Sequence, residues 1–358
     1  MQLKSASAPP EFMATDALVE CVPNFSEGRD SDIIDRIAET INATEGVTLL
    51  DVDAGQDFNR TVMTFVGEPE SVLRAAFNCT RKALELIDMR SHSGEHARMG
   101  AVDVVPFIPI AGVSMEDCID LAERFAKRVG SELRIPVYLY AAAARTPARV
   151  LLPKIRAGEY EGLQNRLSEA EWAPDEGPAQ FIPRSGATAS GARSVLIAYN
   201  VNLNTDDKAA AGLIAGKLRT SGILKRDQHG EKILGPDGRP ERIPGRFEAL
   251  QAAGWMYDGE TAQVSMNLLD HLTTGLHEVT NAIRLEAEAM DLEVTAGELV
   301  GLVPLEALTA AGRHFLARED TASQQKLVEA AIDGLKLDVL SDFIPERRII
   351  EYAAGIRG

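Results

Sequence analysis

From Leu18 onward the chain alternates between short apolar runs and stretches in which apolar residues return every third or fourth position. LVECVP (residues 18–23) has the length and continuity of a strand, and the Asn24-Phe25-Ser26-Glu27-Gly28 that follows supplies turn-forming residues. Ile33, Ile34, Ile37 and Ile41 then line one face of a helix whose N-cap falls at Asp30 or Ser31. GVTLLDVDAG (residues 46–55) and RTVMTFVG (residues 60–67) predict two strands. Pro69 opens a long amphipathic helix to about Ile87, at a first-turn position where its missing N–H leaves no bond unmade. A strand over residues 101–110, a helix starting at Ser114 with Asp117 three residues on, and a strand over residues 136–141 follow. The order is β-α-β-β-α-β with a further α-β appended, the split βαβ arrangement of ferredoxin-like sheets.

The same order returns downstream. RSVLIAYNVNL (residues 193–203) predicts a strand and Asp206 caps a helix to about Thr220. Strands follow around residues 247–255 and 262–269, then a helix over residues 275–290 and a strand over residues 293–304. The halves share architecture without convincing residue identity. Between them, residues 156–192 turn rich in Pro, Gly and Ser after a short helix, which predicts the domain boundary. The fold class is therefore α/β (α+β) with two ferredoxin-like βαββαβ subdomains, at residues 17–190 and 191–358, behind a disordered leader at residues 1–16. Residues 225–247 make an irregular stretch long enough to be a surface hairpin or a lid. After Glu306 the pattern is helical, with an extended tail over residues 338–352.

Composition narrows the classes. A chain of 358 residues, 45% of them hydrophobic, buries a sizeable core without staples. Its three cysteines are odd in number and far apart, which suggests neither a disulfide framework nor a Cys-rich metal site, and a reducing cytoplasm is the simplest compartment. A net charge of −17 argues against a nucleic-acid surface, so an anionic ligand needs a local basic pocket. No run is apolar and long enough for a membrane span, and the first twelve residues lack the apolar core of a secretory signal.

The densest chemistry lies in RSHSGEHARMG (residues 90–100). Its His92-Ser93-Gly94-Glu95-His96 has the His-x-x-Glu-His order of one class of zinc peptidases, which needs both imidazoles on one face of a helix. Gly94 opposes that helix by about 1 kcal/mol relative to Ala, and the Arg90 and Arg98 cations oppose a metal ion. Acid/base catalysis is equally economical, because carboxylate and guanidinium neighbours can set the proton affinity and tautomer of a histidine. An ordinary exposed loop is the third reading, and spacing alone leaves all three open. DVDAGQDFNRTV (residues 51–62) joins two strands with Asp53, Asp57, Asn59 and Arg60, either as a plain turn or with Asp51 or Asp53 aimed at His96. GPAQFIPRSGATASGAR (residues 177–193) is a linker or, with its backbone N–H groups, Arg184 and Arg193, a wall able to receive an anionic aromatic ligand. The order of a nucleotide P-loop is absent. Arg145, Arg149, Lys154 and Arg156 concentrate positive charge, and His229, His271, His277 and His314 stand alone.

LVECVPNFSEGRD, LLDVDAG, NRTVMTFVGEPE, IDMRSHSGEHARMGAVDVVPFIPI, VSMEDC, IPVYLY, RAGEYEGL, GATASGARSVLIAYNVNLN, QVSMNLLD and ELVGLVPLEAL run in this order over residues 18–352. Together they resemble the glutamate formiminotransferase family. The resemblance implies transfer of a formimino group from N-formimino-L-glutamate to N5 of tetrahydrofolate, in a cleft between two facing ferredoxin-like sheets. It implies His96 as the proton shuttle, oriented by Asp53 or Glu95, with Arg60 and Arg98 on substrate carboxylates and Asn59 and His92 in support. The folate-binding segment falls on Gly177, Pro178, Ala179, Gln180, Phe181, Ile182, Pro183, Arg184, Ser185 and Gly186. Ser185 stands where animal members carry an aromatic residue, and residues 225–247 exceed the animal form. The resemblance further implies tetrahydrofolate as co-substrate with no metal, a homodimer in the cytoplasm, no nucleic-acid or membrane partner, and a separate cyclodeaminase downstream. A related enzyme acting on 5-formyltetrahydrofolate and a zinc peptidase are the rival readings.

Overall fold

The computed structural model describes residues 17–56, 58–316 and 322–355; the expected leader and Asp57 lie outside them. Two compact units divide between Ser194 and Val195.

The first unit is built on its N-terminal strand. β1 (Leu18–Cys21) and β2 (Asn24–Phe25) are two lengths of one central strand interrupted at Val22 and Pro23, where the proline has no N–H to give to a ladder. β3 (Val47–Gly55) pairs antiparallel with β4 (Arg60–Gly67), β4 pairs with β1 and β2, and these pair on their other side with β5 (Val102–Ala111). β6 (Val137–Ala141) and β7 (Thr188–Ala192) extend the sheet in parallel, giving the order β3-β4-β1/β2-β5-β7-β6. Helices α1 (Ser31–Asn42), α2 (Pro69–Leu86) and α3 (Met115–Arg128) contribute their apolar stripes to the main core. Ile34, Ile37 and Ile41 are buried on α1, each contributing about 2 kcal/mol. Asp30 caps α1, and Ser114 with Asp117 forms a reciprocal capping box on α3. A second cluster, including Met99, Tyr138, Tyr140, Ile155 and Leu163, gathers α4 (Leu152–Ile155) and α5 (Glu159–Arg166) beside β6.

β7 corrects the expected linker. Its residues, Thr-Ala-Ser-Gly-Ala, are all buried and lie between β5 and β6. Small side chains are required there: a Cβ at Gly191 would lie 2.4 Å from the Tyr140 carbonyl oxygen, and Ser190 Oγ donates to the Ala122 carbonyl of α3 at 3.3 Å. The following strand accordingly begins at Ile197, and the first unit ends at Ser194 instead of residue 190.

In the second unit β8 (Ile197–Leu203), α6 (Lys208–Leu218), the short hairpin β9 (Ile223–Leu224) with β10 (Arg242–Ile243), β11 (Leu250–Met256), β12 (Ala262–Leu268), α7 (Leu276–Glu288) and β13 (Val294–Val300) follow in turn. The sheet runs β11-β12-β8-β13, antiparallel throughout. In both units the first strand is central, flanked by the third and fourth, with the second outside the third. The cap of α6 is Asp207, one residue beyond the expected Asp206, because Asp207 Oδ1 accepts from Ala209 N–H. The irregular residues 225–247 form two successive antiparallel bridges, Arg226 with Lys232 and Leu234 with Pro240. α8 (Leu305–Phe315) and α9 (Gln324–Leu335) pack together, and the tail returns through a parallel bridge from Ile349 to Val303.

Candidate active site

The histidine loop enters from a single 3-10 turn over Met89–Ser91, capped by Asp88, whose carboxylate accepts from Arg90 N–H at 3.1 Å. Residues 92–96 are irregular, so the helical face that a His-x-x-Glu-His zinc site needs is not formed. Instead the loop presses on the turn between β3 and β4: a Cβ at Gly94 would lie 2.3 Å from the Phe58 carbonyl oxygen. That turn depends on Asn59, which is buried and holds a left-handed φ of 47°, a conformation Asn tolerates better than most residues. Its Oδ1 accepts from Gly28 N–H at 3.0 Å, its Nδ2 donates to the Ser93 carbonyl at 2.9 Å, and its own carbonyl lies 3.0 Å from His92 Nε2. Asn59 thus ties three loops together.

His92 has a defined tautomer. Arg98 Nε donates to its Nδ1 at 3.3 Å, so the proton sits on Nε2 and is donated to the Asn59 carbonyl. Arg98 itself is buried and its guanidinium is taken up by carboxylates: NH1 reaches Glu159 and Glu161, each at 2.9 Å, and NH2 reaches Glu161 at 2.7 Å. These four bonds make Arg98 a brace between the loop and α5, in place of the expected free carboxylate-binding cation.

His96 meets Arg60 instead of Asp53. Arg60 NH1 lies 2.6 Å from His96 Nε2, and a guanidinium only donates, so Nε2 is the acceptor and Nδ1 carries the proton. Nδ1 is buried and has no hydrogen-bond partner among the described residues. Burial first, then the Arg60 and Arg156 cations, hold the His96 pKa down to about 4, against an opposing backbone hydrogen bond. Arg60 is pushed below its ordinary range by burial and by Arg156, with Asp53 and Asp103 pulling the other way. Asp53 is exposed on β3 opposite Val62, and Glu95 is exposed on the loop.

Two residues that carry the site electrostatics stand outside the expected set. Asp103 on β5 is buried, accepts from Met99 N–H at 2.9 Å and pairs with Arg156; burial raises its pKa and Arg156 opposes the rise. A lone carboxylate inside the apolar run AVDVVPFIPI was the available signal, since a buried carboxylate requires a partner. Arg156 was legible only as one of a basic group. Arg149 of that group pairs with buried Asp175 at 2.7 Å, and Arg145 is exposed beside Glu176.

The segment over residues 177–186 lies along the same loop. The Arg184 carbonyl accepts from Met89 N–H at 2.9 Å, and its guanidinium donates to Asp88 at 3.2 Å. The Ser185 carbonyl accepts from Ala101 N–H at 2.9 Å, and Gly186 bridges Gly100. Phe181 meets the Tyr160 ring at 5.3 Å between centroids, and Tyr160 OH donates to the Pro183 carbonyl. Ile182 accepts from Ser185 and Gly186 N–H, Pro178 is half-buried, and Gly177, Ala179 and Gln180 are exposed. A pocket of about 500 Å³ is lined by His92, Ser93, Gly94, Arg98, Glu159 and Glu161 together with Gly158. A second recess, too tight to admit a water molecule, is lined by His96, Arg60, Asp103 and Ser26 among others. Among the other histidines, His277 and His314 stack at 4.8 Å and Asn281 meets His314 at 2.8 Å, so these two do not stand alone.

Residues 18–193 match the formiminotransferase domain, N-terminal subdomain, and residues 198–355 match the formiminotransferase domain. The chain belongs to the formiminotransferase family. Every residue of the His96 site falls in the matched N-terminal subdomain. A glutamate formimidoyltransferase of Streptococcus pyogenes serotype M1 is 38% identical over 318 residues, covering 88% of this chain and 99% of that protein. One from Thermoplasma acidophilum is 41% identical over 302 residues, covering 84% and 92%. The formimidoyltransferase-cyclodeaminase of Mus musculus is 48% identical over 338 residues, covering 94% of this chain; the chain spans 59% of that relative's length. Among the described residues, no helix is long and apolar enough to cross a membrane.

Proposed function

We propose that this formiminotransferase-family chain moves the formimino group of N-formimino-L-glutamate to N5 of tetrahydrofolate, releasing L-glutamate. The observation that carries the reading is His96: a neutral imidazole with its proton on Nδ1, half-buried, and beside two guanidinium groups. Tetrahydrofolate supplies N5 as the nucleophile. His96 Nε2 takes the N5 proton as the new carbon–nitrogen bond forms. It returns that proton to the glutamate nitrogen as the old bond breaks, so one group serves both transfers. Arg60 holds a donor carboxylate, where a paired guanidinium fork is the strong choice.

His92, Asn59 and Arg98 keep the loop in place, and Asp103 with Arg156 sets the local field. Asp53 contributes charge near Arg60, and Glu95 faces solvent at the loop edge. The tilted pair Tyr160 and Phe181, the exposed Gly177, Ala179 and Gln180, and the unpartnered Ser185 hydroxyl suit a flat aromatic ligand with a polar edge, which supports residues 177–186 as the folate wall. The shared strand order of the two units supports the ferredoxin-like reading of each. A homodimer in the cytoplasm completes the proposal. The test supplies tetrahydrofolate with formiminoglutamate or formylglutamate and follows glutamate release. Release with the formimino donor alone is the expected result. Release with the formyl donor alone would reassign the enzyme.

A further inference from the structure

Most of the arginines around the histidine loop and its supports hold carboxylates. Arg98 takes Glu159 and Glu161, Arg156 takes Asp103, and Arg90 and Arg184 share Asp88. Arg60 differs from these: its hydrogen bond goes to a neutral imidazole, in a chain with a net charge of −17. Its two carboxylate neighbours act only at a distance, since Asp103 is occupied by Arg156 and Met99 N–H, and Asp53 is exposed on β3. A half-buried guanidinium without a carboxylate is a vacancy for an anion. The bond it makes meanwhile has a cost to catalysis, because the only lone pair of His96 able to accept a proton is the one on Nε2, which Arg60 already fills.

We propose that Arg60 is a displaceable cap on His96: a carboxylate of the donor draws the guanidinium off Nε2, and His96 accepts a proton only after that exchange. The inference rests on the transferase reading for the identity of the donor and extends it to the order of events. The exchange is favoured because a guanidinium pairs with a carboxylate through two parallel N–H···O bonds between opposite charges, whereas the neutral imidazole accepts only one bond and carries no charge. It also raises the basicity of His96 at the right moment. Of the cations that lower the proton affinity of the ring, Arg156 stays paired with Asp103 and Arg98 with Glu159 and Glu161, so their effect persists, and moving Arg60 removes the one that acts most strongly and touches the ring. An empty site therefore holds an unreactive base, and an occupied site holds a reactive one.

The test is histidine side-chain NMR on the full chain, following the His96 ring nitrogens through a pH titration. It is run without ligand, with L-glutamate, with glutarate, and in Arg60→Gln. In the free protein Nε2 stays unprotonated down to about pH 4. With either dicarboxylate the midpoint moves up by about one unit or more. In Arg60→Gln it is raised without ligand and does not respond further. An unchanged midpoint at saturating dicarboxylate, no response to either dicarboxylate, or a wild-type midpoint in Arg60→Gln each overturn the cap. The titration involves no turnover, so a failed transfer assay with an intact shift removes the reaction reading alone, while transfer without the shift removes the cap alone.

Discussion

Replacing Asn59 tests whether one side chain holds the site together. Asn59→Ala removes two hydrogen bonds, to Gly28 N–H and the Ser93 carbonyl, each worth about 1 kcal/mol net. The position is only 7% exposed, so water replaces the lost partners poorly and the stranded groups add roughly 1 kcal/mol. Alanine at a φ of 47° adds about 1 kcal/mol of backbone strain. The expected loss is therefore about 4 kcal/mol. Asn59→Gly loses the same bonds without the strain, so it lies about 1 kcal/mol above Ala. The assay is urea unfolding followed by Trp172, which belongs to the first unit, in a Trp255→Phe background; Trp255, in the second unit, is largely exposed and tolerates the change. Stabilities in the order Asn, Gly, Ala are predicted. An Ala variant within about 1 kcal/mol of wild type, or above Gly, would refute the reasoning.

Asp103→Asn strands the Arg156 guanidinium, and a drop of about 3 kcal/mol in stability is expected from urea midpoints. Gly191→Val forces a side chain into the Tyr140 carbonyl and ring, so β7 should fail to insert; limited proteolysis across residues 177–193 should then cut the variant and spare wild type. The His96 pKa falls from its ordinary 6.5 to about 4 on folding. The unfolded chain therefore binds the proton first, and the stability present above pH 6.5 is lost as pH falls toward about 4; thermal midpoints of His96→Gln should fall less steeply over that window than those of wild type. His92, His271 and His277 shift in the same direction, so a residual slope remains in that variant.

The starts of α1, α2 and α3 were legible nearly to the residue, because caps and a first-turn proline mark them locally, and the end of α2 fell one residue from the expected position. It missed β7, since a strand built of small residues to fit under α3 and against Tyr140 looks the same as a flexible linker. At the site, the crowding of His92, His96 and Arg98 was visible in one segment, and so were Asn59 and Arg60. What each does was not. The role of Arg98 depends on Glu159 and Glu161, which follow it by 61 and 63 residues, and the partner of Asp103 lies 53 residues on. Asp51 or Asp53 was expected to point at His96 from a buried strand, but β3 lies at the edge of the sheet and residues 51–54 are exposed on both of its faces.

The most direct measurement is single-turnover transfer with tetrahydrofolate and formiminoglutamate, comparing wild type with His96→Gln while folate binding is followed separately. Glutamate release with wild type, a rate lowered by about 10² to 10⁴ in His96→Gln, and unchanged folate affinity are predicted. Release at a near-native rate in His96→Gln, or no release with wild type, would contradict the account.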